Sequence, residues 1–218
     1  KRSQPKADQE QPAVAEERST DREDSCDRKR NWSNEHSARW NDGKNQEDLI
    51  KISEVTNLTL FQVVQLEEDK NNSQNVSISG LKFPREPLSV VSNNQTRILW
   101  QAPRNWLVLS TNTQNDLLKE FNKLDFLNFA VTDVSHSRTI IQLEGKKVVE
   151  VLKKGCPINI DQFKINNSFN SIYNGITITV DILHERVEKI RIYSLRSFGE
   201  SLHHSLTDSS LEFGYKNI

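Results

Sequence analysis

At 218 residues, with 29 Lys and Arg against 30 Asp and Glu, the chain is close to neutral at a formal charge of −1. That balance excludes the strongly basic face that nucleic acid or anionic lipid would require, because the cations after Leu49 are interleaved with acids. No apolar run approaches the roughly twenty residues needed to cross a bilayer, and no apolar signal region opens the chain, so a soluble cytoplasmic protein is expected.

Residues 1–48 contain no Leu, Ile, Phe or Tyr, and their mixed-sign polar composition predicts a disordered polar tail. Trp32 and Trp40, eight apart in N-W-S-N-E-H-S-A-R-W, have the make-up of interface anchors, which predicts that the tail folds on a partner. The chain has no methionine, even at position 1, which points to a fragment or a processed start. Six N-x-S/T sequons, at Asn31, Asn57, Asn71, Asn75, Asn94 and Asn166, would matter in a secreted protein. With no apolar signal region at the start of this sequence they are expected to be chance matches in an Asn-rich chain. The remaining residues, 49–218, are about 170, enough for one compact core or two small fused halves.

Within 49–218 the first strands are predicted at 50–53 and 58–66, the second alternating through Leu58, Leu60 and Val64 with Val63 offset. A polar turn spans 69–79, and Pro84 and Pro87 punctuate an extended stretch. A hairpin follows at 97–110, R-I-L-W and W-L-V-L-S about a turn carrying Pro103 and Asn105. Asn115 is the expected cap of a helix in which Leu117, Leu118, Phe121, Leu124 and Phe126 face a sheet.

The second half opens with 131–161, predicted as a β-turn-β-α unit: a strand ending at Asp133, a strand at 138–143, and a helix at 145–154 stopped by Gly155. An irregular stretch at 162–174 carries Phe163 and Phe169, and a second hairpin pairs 176–183 with 189–195 about a polar turn at 184–188. Ser197 is the expected cap of a last helix with Phe198, Leu202, Leu206 and Phe213 on one face and Gly214 as its stop. Both halves, about 49–128 and 129–218, end hairpin then helix. The fold class is α+β, two related sheet-plus-helix units packed together.

Asp133, Ser135 and His136 are too close in sequence to converge as a catalytic triad, so Asp133 and Ser135 are expected to bond the strand end. His203 and His204 lack the spacing of four that a helical metal pair needs, and should flank and face away from the apolar side. Asp161 and Glu185 have no neighbouring carboxylate, and the isolated glycines form no phosphate cradle. Cys26 and Cys156 are expected to be free thiols. Trp100 and Trp106 flank the hairpin turn, where they either stack on a flat ligand such as a pterin or flavin, or belong to a core or partner face. No catalytic, cofactor-binding or metal-binding residue is therefore assigned.

The run D-V-S-H at 133–136, with G-K-K-V-V-E-V-L-K-K-G-C-P-I-N-I-D at 145–161, resembles the gamma subunit of heterotetrameric sarcosine oxidase. R-I-L-W-x5-W-L-V-L at 97–109 and R-S-F with L-x3-L-x-D-x3-E-F-G at 196–214 are similar to that family as well. The sequence departs from the family's P-D-E-W turn, which is Pro103-Arg104-Asn105-Trp106 here. D-V-S-H alone also fits the glycine-cleavage T protein and its folate-binding relatives. The resemblance implies a fold like the N-terminal part of those proteins. It further implies alpha, beta and delta partner subunits, with FAD, FMN, NAD and tetrahydrofolate on them and no cofactor or catalytic residue on this chain. The complex so implied demethylates sarcosine oxidatively to glycine, with hydrogen peroxide and methylene-tetrahydrofolate formed. A free-standing folate-binding aminomethyltransferase-like protein, using Trp100, Trp106 and Asp133, is the alternative.

Overall fold

The computed structural model describes residues 48–66, 77–122 and 128–218. The expected tail with Cys26, Trp32 and Trp40, most of the polar turn, and Leu124 and Phe126 lie outside the described residues.

The strands, in chain order, are β1 Ile50–Glu54, β2 Thr59–Gln65, β3 Ser77–Ile78, β4 Leu81–Lys82, β5 Val90–Ser92, β6 Thr96–Ala102, β7 Asn105–Ser110, β8 Phe129–Asp133, β9 Arg138–Glu144, β10 Ser168–Tyr173, β11 Ile176–Ile182, β12 Lys189–Leu195 and β13 Tyr215–Asn217. The helices are α1 Gln114–Phe121, α2 Val148–Gly155 and α3 Gly199–Ser210. One sheet has the order β5-β6-β7-β2-β8 and the other β10-β11-β12-β9-β1-β13, with β3 and β4 as a separate short ribbon.

Strand alternation explains why both faces of each sheet are covered. On β6 and β7, Ile98, Trp106 and Val108 pack under α1 with Phe61 and Val63 of β2, while Leu99, Leu107 and Leu109 point the other way. On the second sheet, Ile141, Leu143, Ile178, Val180, Ile190 and Ile192 meet Val151, Leu152, Leu202 and Leu206 of α2 and α3. The opposite faces of the two sheets meet through Leu60, Leu99, Leu109, Ile140 and Tyr193. The layers run helix, sheet, sheet, helices, an α+β architecture of two sheet-plus-helix units.

The sheets do not divide where the chain does. β1 pairs antiparallel with β9 and parallel with β13, so it lies in the second sheet; β8 pairs with β2 in the first. β8 and β9 therefore form no hairpin: the segment between them carries the chain from one sheet to the other. At another edge, a bridge between Ser89 and Asn167 joins β5 to the residues before β10.

Several expectations change in detail. The inward face of β2 toward α1 is Phe61 and Val63, because Leu60 serves the sheet–sheet layer instead. The cap of α1 is Thr113, whose hydroxyl accepts from the Asp116 N–H, with Asn115 inside the helix and Leu118 exposed. α2 begins at Val148, after a turn, and it contains Gly155. Gly155 is not a left-handed stop: a Cβ there would lie 2.8 Å from the Tyr173 ring, so the glycine clears space for that ring. Residues 168–173, expected to be irregular, form the strand β10. Ser197 does not cap α3, because a short 3-10 turn, Arg196–Phe198, precedes it and leaves Phe198 exposed. The last helix ends at Ser210 with Leu211 as its C-cap, earlier than the expected stop; Gly214, at φ 81°, closes the turn that follows, with its N–H on the Ser210 carbonyl at 3.0 Å.

Candidate functional site

The Asp133–His136 turn is built by hydrogen bonds to β2. Ser135 Oγ accepts from the Leu60 N–H at 2.9 Å, and the Val134 N–H donates to the Leu60 carbonyl at 2.9 Å. The Ser135 hydroxyl lies 2.6 Å from Asp133 Oδ1, which also accepts the Ser135 N–H at 2.8 Å. Asp133 Oδ2 accepts from Gln114 Nε2 of α1 at 2.5 Å. Asp133 thus contacts Ser135 directly, and His136 is exposed beside it, bonded to neither among the described residues. The expected strand-end role of Asp133 and Ser135 is what the geometry shows: the pair ties β8, β2 and α1 together.

The other candidates are separated from one another. His203 is half-buried, and burial holds its imidazole below the usual value against a hydrogen bond to Asn217 and the nearby Glu54 carboxylate. His204 is exposed and lies 3.5 Å from Asp208 one turn on, as the reading of one histidine flanking the core and one facing out requires. Asp161 pairs with Lys153 at 3.0 Å, whereas Glu185 is exposed in the β11–β12 turn. Cys156 is a buried free thiol, 3.2 Å from Ser171 Oγ. Among the described residues no three His, Cys, Asp or Glu side chains gather closely enough to hold a metal ion.

Trp100 and Trp106 face each other across the β6–β7 ladder, on the side covered by α1. Trp106 is 5% exposed, its ring 4.8 Å from that of Phe83 and its indole N–H on the Pro84 carbonyl at 2.6 Å. Trp106 therefore takes a core role, while Trp100 is half-buried against the same cluster.

What the sequence reading missed lies between the sheets. Arg97 of β6 grips Asp181 of β11 through two bonds, Nε to Oδ2 at 2.7 Å and Nη2 to Oδ1 at 2.8 Å. The same guanidinium donates to the Ile182 carbonyl, Ser92 Oγ and Asn166 Oδ1, each at 3.1 Å. Asp181 is fully buried. Burial first, and then this carboxylate, push the adjacent Tyr193 phenol well above its ordinary pKa. Arg97 is thereby satisfied at every position of its fork, which makes the cluster a strut between sheets. The available signal was one charge in each of two otherwise apolar strand patterns, R-I-L-W and V-D-I-L.

Comparison with known proteins places this geometry in context. Residues 72–212 match the family described as Sarcosine oxidase, gamma subunit family. Sarcosine oxidase subunit gamma of Corynebacterium sp. (strain U-96) is 30% identical over 132 residues, 56% of this chain and 60% of that relative. The chain thus spans less than two thirds of that relative's length. A chain of the heterotetrameric sarcosine oxidase from Corynebacterium sp. U-96, in complex with pyrrole 2-carboxylate, is similar at TM-score 0.69 and 22% identity, covering 84% of this chain and 95% of that one. The glycine cleavage system aminomethyltransferase T from Bartonella henselae is similar at TM-score 0.57 and 11% identity, over 85% of this chain and 50% of that one. At these identities the two structures show a shared fold.

Proposed function

The chain belongs to the sarcosine oxidase gamma subunit family, and from that premise we propose that it is the architectural, non-catalytic gamma subunit of a heterotetrameric sarcosine oxidase. The complex demethylates sarcosine oxidatively to glycine, with hydrogen peroxide and methylene-tetrahydrofolate as products. Alpha, beta and delta subunits are the partners in the cytoplasm, and they carry the FAD, FMN, NAD and tetrahydrofolate. The observation that carries this reading is the use made of each candidate group. Asp133 and Ser135 bond to one another and to β2, Trp106 fills the core, and Arg97 and Asp181 bond to one another while Arg97 spends its remaining donors on Ile182, Ser92 and Asn166. The test is to prepare the complex with and without this chain and to follow flavin content and sarcosine-dependent peroxide release. Loss of both without the chain is expected; full activity without it overturns the reading.

The likeness of fold to aminomethyltransferase T supports a second reading, a folate-binding aminomethyltransferase-like protein. The chain covers half of that neighbour's length. Titration of the isolated chain with tetrahydrofolate separates the two, since saturable binding favours the transferase.

A further inference from the structure

Two motifs singled out in the sequence, D-V-S-H and R-S-F, meet on one surface. Leu195, the last residue of β12, is paired in register with Arg138 at the start of β9, and the next residue, Arg196, donates its N–H to the Ser137 carbonyl at 2.9 Å. Within four residues of chain, Leu195 and Phe198 leave 43% and 45% of their surfaces in water. The frame that presents them is firm. Ser137 donates N–H and hydroxyl to the Val134 carbonyl at 3.1 and 3.0 Å, Ser135 is tied to Leu60, and Gly199 lies against Thr139 of β9. Two large apolar side chains held outward by a frame with little freedom mark a contact surface, because ordering costs little on association and the exposed area is then removed from water.

Two cations flank them: Arg138 is paired in register with Leu195, Arg196 follows it in the chain, and among the described residues no side-chain hydrogen bond or ion pair engages either, while the Glu54 carboxylate beside the frame accepts from the Thr139 hydroxyl at 3.5 Å. The nearby acids are occupied: Asp133 is bound to Ser135 and Gln114, and Glu200 is not free. An apolar pair edged by unpaired arginines is complementary to an apolar recess rimmed by carboxylates.

We infer that this face, Leu195 and Phe198 with Arg138 and Arg196, is where the chain docks onto a larger partner subunit that offers an acid-rimmed apolar recess. The inference rests on the reading of the chain as a subunit. The test uses the full chain, tagged and co-expressed with alpha, beta and delta subunits, and reads flavin recovered per tagged chain. The variants are L195D/F198D, R138Q/R196Q and, as a control on a distant exposed apolar residue, I172D of β10. Anchor residues of this kind imply a loss of at least about tenfold for L195D/F198D, with melting of the chain unchanged. R138Q/R196Q should weaken recovery less and flatten its dependence on salt, while I172D recovers flavin as the wild type does. Wild-type flavin recovery by both face variants, or equal loss in I172D, overturns the docking face alone. A wild-type chain that brings down no flavin, or only a second copy of itself, overturns the subunit reading and the docking face with it.

Discussion

Among the described residues the five-stranded sheet is covered by one eight-residue helix that contributes Leu117 and Phe121, with Ile78 and Phe83 beside it, whereas the six-stranded sheet is covered by two helices that contribute Val148, Val151, Leu152, Leu202 and Leu206. The covers are also fastened differently. α1 is held through Glu120, whose carboxylate accepts the Ser79 N–H at 2.6 Å and the Ser79 hydroxyl at 3.1 Å. Lys154 of α2 reaches the Ser209 carbonyl at 2.6 Å and Glu212 at 2.7 Å while lying over the Phe213 ring, and Tyr173 donates to the Val151 carbonyl at 3.0 Å. The heavier cover buries more apolar surface, so more of the stability resides on that side. Neither unit stands alone, because β1 and β8 are exchanged and the Leu60, Leu99, Ile140 and Tyr193 layer belongs to both.

Breaking the strut is the harshest test of that unity. Arg97→Met leaves the fully buried Asp181 carboxylate without its partner and should cost about 3–5 kcal/mol in urea denaturation. R97M/D181L should recover most of that loss, since no buried charge is then left unpaired. Next come the two helix covers: Leu152→Ala and Leu117→Ala each remove a fully buried side chain, at about 2–5 kcal/mol, with Leu152→Ala the larger. Both should move one common transition. Two separate transitions in either variant would show that the units unfold independently.

Smaller changes sharpen the contrast on the six-stranded side. Gly155→Ala puts a methyl 2.8 Å from the Tyr173 ring. Overpacking of about 1–3 kcal/mol should exceed the helix-propensity gain of up to about 1 kcal/mol, giving a net fall in melting temperature. The smallest effect is a pH dependence. Burial holds His203 below the ordinary imidazole value, so the unfolded chain binds more protons than the native chain as pH falls. Stability should therefore decline as pH drops through about 6.5, where an unfolded histidine titrates, and His203→Gln should flatten that slope. An unchanged slope would mean that His203 does not contribute to it.

Much of this architecture was legible from local pattern. The β6–β7 hairpin shows itself because Pro103-Arg104 interrupts two apolar runs, and the structure puts Arg104 at φ 61° in that turn. β11 and β12 were legible for the same reason. β10 was not: S-F-N-S-I-Y mixes polar residues into both faces, because Asn170 bonds across to the Gln101 carbonyl of β6 while Phe169 and Tyr173 face the helices. β13 is too short to display a period and forms because β1 offers it a parallel edge. The roles of Asp133 and Ser135 were readable because two polar residues at a strand end bond locally. Gly155 misled, since a glycine that clears space for a ring looks the same in sequence as one that ends a helix.

The alternation of apolar residues and the turn chemistry of this chain were enough for an α+β fold and its main hairpins, and the motifs at 133–136, 145–161, 97–109 and 196–214 carried the family resemblance. They say nothing of which strands become neighbours, because backbone ladders bond any strand to any other and the choice is made by packing of whole faces. That is why β8 and β9, adjacent in the chain, lie in different sheets, and why Arg97 and Asp181, 84 positions apart, meet as a buried pair. The exposed Leu195 and Phe198 belong to the same category. In sequence they continue an apolar strand and helix face; in the structure Leu195 ends β12 opposite Arg138 and the short turn at Arg196–Phe198 carries Phe198, leaving both exposed on a surface where another chain can bury them.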